Sequence, residues 1–348
     1  MTNSLNSDKK LRVLQVLPSL VSGGVERGTL DLCKYLIEQG HEAWVISSGG
    51  PLVKPLEDIG ARHITLSVHS KNPFKIWRNS QILKQLIQSH QFDLKGDACI
   101  AVSQFIASHI NTVYPQHHTN IKLIHRGIDL TTFTQSQSNK DKALSLRQKW
   151  HIAEHDKIII LPGRLTRLKG HPTFLEAIAR LTEHTSVHCL IVGDEPGKDH
   201  YQQELQAFII KHKLSNRVQF TGNYYDMPAM YQLADIVISA SIKPESFGRT
   251  ACEAQAMGCL VIATKHGGSL ETISPLQQQF MCKVKDSESM SSAIKKALFY
   301  CDKKNLQERA KIEDASRIFI EQNFSLNKMC NDTIALYREV MSKNTGQL

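Results

Sequence analysis

The 348-residue chain has no apolar run near the ~20 residues needed to cross a bilayer, and its first ten residues are polar without a hydrophobic signal core. A helical integral membrane protein is therefore excluded and a cytoplasmic protein expected. It also has no CxxC pair. Its eight cysteines (Cys33, Cys99, Cys189, Cys252, Cys259, Cys282, Cys301, Cys330) are scattered, which excludes a zinc ribbon and fits reduced, buried thiols. No Gly-Lys-Ser/Thr ending follows any glycine turn, so a P-loop NTPase is excluded. No helix-turn-helix, zinc-finger or aromatic RNA-binding motif accompanies the net charge of +9, so nucleic acid is not an expected partner. Of the sixteen histidines, the helix-spaced pairs His151/His155 and His184/His188 lack the carboxylates or thiolates that would complete a metal site, and no metal is expected.

What is present is unevenly placed. Residues 1–150 hold 18 Lys and Arg against 11 Asp and Glu, whereas the remainder is nearly balanced. A basic first half suits an anionic partner, whether a phosphate-bearing substrate or an acidic membrane surface. Short apolar runs alternate with helical periods throughout, the pattern of parallel α/β architecture. In the first half, Leu11–Leu17, Ala43–Ser47, Ile64–Val68, Ala98–Val102 and Ile121–Ile124 read as strands. Helices are expected over about Gly24–Gln39 and from Pro73 to about Ser89, with Ser103 capping another. Residues 134–148 are polar and read as a connection. A second series follows with strands at Ile158–Leu161, Val187–Val192, Val218–Thr221, Ile236–Ala240 and Leu260–Ala263.

Four constellations follow strands, where open α/β sheets bind ligands. Ser22-Gly23-Gly24-Val25-Glu26-Arg27 follows the first strand; it fits a phosphate turn or a plain tight turn. In Gly163-Arg164-Leu165-Thr166-Arg167-Leu168-Lys169-Gly170, Arg164 and Lys169 can converge on one anion, a planar fork beside a point charge. In Pro244-Glu245-Ser246-Phe247-Gly248, a carboxylate precedes a helix start, and Glu253 lies two turns further on the same side. One carboxylate can meet sugar hydroxyls, the other a ribose diol. Gly267-Gly268-Ser269-Leu270-Glu271 repeats the glycine turn at a helix N-terminus.

With these motifs in order, the chain resembles the retaining family 4 of glycosyltransferases with the GT-B fold. The run PESFGRTACEAQAMGCLVIATKHGGSLE carries the family's Glu, seven residues, Glu, then Gly-Gly-x-x-Glu pattern, and SGGVER, GRLTRLKG, IHRGIDLTTF and YYDMPAMYQLADIVISAS fit as well. The resemblance implies an α/β chain of two doubly wound, Rossmann-like domains: 1–133 on the acceptor side, a 134–148 connection, 149–327 on the nucleotide-sugar side, and 328–348 as a helix packing back. It implies that Arg164 and Lys169 neutralise the donor pyrophosphate, helped by Gly23 and Gly24. Glu245, Ser246, Phe247 and Gly248 would hold the donor sugar and a phosphate oxygen, and Glu253 the ribose. Asn223–Met227 would lie near the base, and Gly267, Gly268 and Glu271 would complete the donor side. Arg164, Lys169 and Glu245 are the expected catalytic residues. No cofactor or metal is implied beyond the nucleotide-sugar donor; the acceptor would be an envelope glycan or glycolipid such as lipopolysaccharide.

The sequence departs from the family between Gln91-Phe92-Asp93-Leu94 and Lys95-Gly96-Asp97, where roughly a βαβ unit is absent. No residue replaces the family's cleft histidine, so none is assigned here. Ala98–Val102 could slide beside Leu11–Leu17 to fill the vacancy. Two readings follow: a shortened, active transferase, or a remnant that binds nucleotide sugar without transfer. Lys71, Lys75, Arg78 and Lys84, with Phe74 and Trp77 among them, further suit peripheral contact with an anionic membrane at the inner face of the cytoplasmic membrane.

Overall fold

Strands made almost wholly of Ile, Leu and Val can be buried on both faces, and the second half of the chain builds its sheet from such runs. The computed structural model describes residues 10–21, 23–69, 72–90, 92, 98–115, 121–182, 185–194 and 199–345. Its strands are β1 (Arg12–Val16), β2 (Glu42–Ser47), β3 (Arg62–Thr65), β4 (Cys99–Ala101), β5 (Ile121–Leu123), β6 (Lys157–Pro162), β7 (Val187–Val192), β8 (Val218–Gly222), β9 (Ile236–Ser239) and β10 (Leu260–Ala263). Two compact units form. One takes the described residues of Met1–Ile100, His118–Lys122 and Met329–Leu348; the other takes those of Ala101–His117 and Leu123–Lys328.

The second unit is a five-stranded parallel sheet in the order β10-β9-β6-β7-β8. Successive side chains of β6 face opposite ways. Ile159 and Leu161 join a core with Phe174, Leu205 and Ile294, while Ile158 and Ile160 join another with Tyr231, Ala251 and Phe324. Helices therefore cover both faces, and the C-terminal strand ends are left to carry loops.

The first unit contains a three-stranded parallel sheet, β3-β2-β1. Trp44 of β2 anchors it, with the Arg62 guanidinium 4.7 Å above its ring and Phe92 edge-on at 5.7 Å. Among the described residues β1 has a strand neighbour on one side only, and Val16 is 45% exposed. The last helix, Leu326–Thr345, supplies this unit with buried Cys330, Ile334 and Val340, and Tyr35 donates to Asn331 Oδ1 at 2.6 Å.

Several expectations are corrected. Strand β4 does not slide beside β1 but pairs with β5 in a separate two-stranded sheet. The 134–148 connection is not featureless, for Gln137–Lys149 is a helix. Ser136 caps it by accepting from Asn139 N at 3.1 Å, and Ala143, Leu146 and Trp150 form its buried seam. By contacts the second unit takes up the chain at Ala101, apart from His118–Lys122. The third strand lies two residues earlier than Ile64–Val68. The sequence junction at 93–97, together with Ser22 and Lys71, lies outside the described residues.

Candidate active site

The second unit's strand ends are stitched into one rigid rim. After β6 the chain makes a short turn, Arg167–Lys169, closed by Gly170 at φ +74°. A Cβ on Gly170 would fall on the Ala240 carbonyl, so only glycine lets this loop touch the end of β9. Ile242 N then donates to Leu168 O at 2.9 Å. The loop after β10 joins at the same place, with Thr264 Oγ1 and His266 Nε2 each 2.8 Å from Ser241 O. A neutral His266 therefore carries its proton on Nε2.

This rim brings Lys169 and Glu245 together, Nζ to Oε1 at 2.6 Å, with Ser241 Oγ donating to the same carboxylate oxygen. Burial pushes the Glu245 carboxyl up, but the Lys169 charge and hydrogen bond, with Ser241 and His266, hold it below its ordinary value. The pair is thus ionised, a cation and an anion facing each other at the strand ends. Arg164, on the same loop, is exposed and has no side-chain partner among the described residues. Arg167 is committed elsewhere, donating to Glu204 at 2.8 Å with its guanidinium 5.0 Å over the Tyr201 ring.

Past Glu245, exposed Ser246 and buried Phe247 lead to Gly248, whose φ of +106° starts the helix Arg249–Ala256. The helix begins two residues later than a start at Phe247, and like any helix start its first backbone amides lack intrahelical acceptors. Glu253 sits further along it, where Arg249 Nε donates at 2.7 Å and the Tyr231 hydroxyl at 3.0 Å.

The Gly267-Gly268 pair has a packing reason. Gly268 N donates to Glu245 O at 2.8 Å, and a Cβ on Gly268 would lie 2.5 Å from Phe247 O. The glycines let two backbones touch and so hold the Glu245 loop. The helix they precede, Ser269–Thr272, is a single turn, too short for the dipole role expected of it. Glu271 is used differently from the donor contact the resemblance implies. Its oxygens accept from Gln104 N at 2.7 Å and Phe105 N at 2.9 Å, capping the helix Gln104–Val113, and His125 Nε2 lies 3.2 Å away. Ser103 caps the same helix as expected.

Exposed Asn223 and half-buried Met227 flank Tyr225, which is 84% exposed. Among the described residues no hydrogen bond joins this segment to the Lys169–Glu245 pair. Gly23 and Gly24 belong to the first unit, and the space around Gly24 is open. Sequence reasoning missed Ser241, His266 and the buried His171, which opens the helix after Gly170. Among the described residues no three of His, Cys, Asp or Glu gather as a metal site.

His171 gives a measurable acid response. Burial pulls its pKa down to about 4, whereas the unfolded chain protonates near the ordinary 6.5. Its stabilising effect is complete above pH 6.5 and falls away by up to about 3 kcal/mol as the pH drops to 4. Urea unfolding across this window should show His171→Gln less acid-sensitive than the parent chain; parallel curves would remove His171 from the explanation.

Comparison with known proteins places these features. Residues 143–316 match the model of Glycosyl transferases group 1, and residues 22–94 that of Glycosyltransferase Family 4. A solved glycosyltransferase from Rickettsia africae is 33% identical, with a TM-score of 0.87 over 95% of this chain and 99% of that one. Anabaena Alr3699/HepE, solved in complex with UDP and glucose, is 21% identical with a TM-score of 0.77, covering 94% and 99% of the two chains. N-acetyl-alpha-D-glucosaminyl L-malate synthase of Bacillus anthracis is 24% identical over 385 positions, covering 95% of this chain and 98% of the relative. Other curated relatives are matched over 49–67% of their own length, so the chain spans about half to two thirds of them. On the family model and the Rickettsia relative together, the chain belongs to the group 1 glycosyltransferases and has their GT-B fold.

Proposed function

We propose that this glycosyltransferase takes a sugar from a nucleoside-diphosphate sugar and transfers it, with retention, to an envelope glycan or glycolipid. The observation that carries this reading is the ionised Lys169–Glu245 pair on the stitched rim, with Arg164 unpartnered on the same loop. Lys169 would turn from Glu245 to the diphosphate as the sugar–oxygen bond breaks, and Arg164 would share that charge. Glu245 would then be free to accept from sugar hydroxyls. The acceptor hydroxyl forms the new bond, and its proton passes to the departing phosphate oxygen. Glu253 would hold the ribose, and Asn223, Tyr225 and Met227 would lie by the base. The UDP complexes of Alr3699/HepE and the part of WaaG in lipopolysaccharide biosynthesis support the choice of donor and acceptor class. Release of nucleoside diphosphate from UDP-sugars, with anomeric assignment of the product, tests the reading; an inverted product would overturn retention.

We further propose that no metal is needed, since side-chain cations already face the diphosphate position. Calorimetric titration with UDP should give the same affinity with and without EDTA. Loss of binding in chelator would refute this.

A second reading rests on a separate observation. Among the described residues strand β1 is a one-sided edge, and the match to the Bacillus anthracis relative runs over more positions than this chain has residues. Both support a loss of central strands from the first unit, which would leave donor binding without transfer. UDP binding with no release of diphosphate under any acceptor would favour that remnant.

A further inference from the structure

The helix Pro73–His90 carries an outward face that its own packing does not explain. Leu83, Leu86 and Ile87 share its inner side and are half-buried. Phe74 and Trp77 point the other way, three residues apart and so on one face, and are 83% and 64% exposed; Ile76, on the inner side with Leu83 and Ile87, is 51% exposed. At 100° per residue, Arg78 and Lys84 flank the two aromatics on the same outer face, whereas Lys75 falls beside the inner side. The helix contains no Asp or Glu. Exposed large aromatics on a cationic helix face have an unfavourable hydration term, and leaving them in water contributes nothing to the fold.

We infer that this face docks the protein onto an anionic lipid surface, independently of the transfer reaction. Phe74 and Trp77 would enter the headgroup–acyl boundary while Arg78 and Lys84 meet lipid phosphates. The charge distribution selects this occupant. A second copy of the same face would set Arg78 and Lys84 against their own kind. A protein groove would need a ridge of aliphatic residues along the helix, whereas the outer face beyond Trp77 is Gln81, Lys84 and Gln85. No helix among the described residues is long and apolar enough to cross a membrane, so the contact is one of surface binding.

Trp77 is its own reporter, because the other tryptophans, Trp44 and Trp150, are 7% and 8% exposed. The full chain should be mixed with vesicles of phosphatidylethanolamine and phosphatidylglycerol, and separately with phosphatidylcholine vesicles. The anionic vesicles should shift Trp77 emission to the blue and co-float the protein, and brominated acyl chains should quench it. Phe74→Ser/Trp77→Ser and Arg78→Glu/Lys84→Glu should each weaken flotation by about tenfold or more, with thermal unfolding unchanged because all four side chains are exposed. Equal binding to both vesicle types, unchanged binding by either variant, or a dimer in solution dissolved by Phe74→Ser would overturn the inference.

Discussion

Replacing Lys169 by alanine should slow release of nucleoside diphosphate from a nucleotide sugar by about 10²–10³, the usual cost of removing one preorganised group from developing charge. The loss is large because Lys169 is held by backbone, with Gly170 against Ala240 and Leu168 bonded to Ile242, so no other cation can move into its place. The same change strips Glu245 of its counter-charge. Burial then acts on that carboxyl with much less opposition, and its pKa should rise. The acid limb of the pH–rate profile should therefore move to higher pH, which simple misfolding would not do. Arg167→Ala is the control. Its guanidinium already serves Glu204 and Tyr201, and turnover should change by about 0.5 kcal/mol or less, as for surface sites away from the chemistry. Equal losses in the two variants would show that the loop contributes only bulk positive charge.

The largest stability effect is expected at Gly170. An alanine there meets a left-handed backbone, which costs about 1–2 kcal/mol, and a carbonyl oxygen where its methyl must go, which adds about 1–3 kcal/mol of overpacking. A summed loss of about 3 kcal/mol lowers the midpoint of a unit this size by about 6–12 °C. Gly24→Ala sets the scale from the other side. It lies at a helix start with nothing within 4 Å of a new Cβ, so it should be neutral or slightly stabilising. Calorimetric scans of both variants decide the point; an unchanged midpoint for Gly170→Ala would mean that the two strand ends can separate at little cost.

The second unit was legible because strands buried on both faces must be apolar through their middles, as Ile158–Leu161 of β6, Cys189–Val192 of β7, Ile236–Ile238 of β9 and all of β10 are. Lys169 and Glu245 were each visible in a motif, but their ion pair joins positions 76 apart and follows only from the backbone stitching. Ser241 and His266 were missed because the stitch ends on a main-chain carbonyl, which no residue type advertises. Glu271 stood out as a carboxylate after two glycines, yet its partners are amides 166–167 positions away, so its use as a helix cap could not be read locally. The helix Gln137–Lys149 was hidden by a polar composition in which only Ala143, Leu146 and Trp150 mark the buried side.

The last helix belongs by its contacts to the unit that opens the chain, and this sets an order for synthesis. As the polypeptide leaves the ribosome, residues 123–328 are complete and can close both their cores while the first unit still lacks Cys330, Ile334 and Val340. Until those side chains arrive, the neighbourhood of Tyr35 and Leu36 is missing part of its cover, next to a strand β1 already paired on one side only. The nascent protein is thus asymmetric in time: its second unit is ready first, and its first unit matures only when Cys330, Ile334 and Val340 have been released.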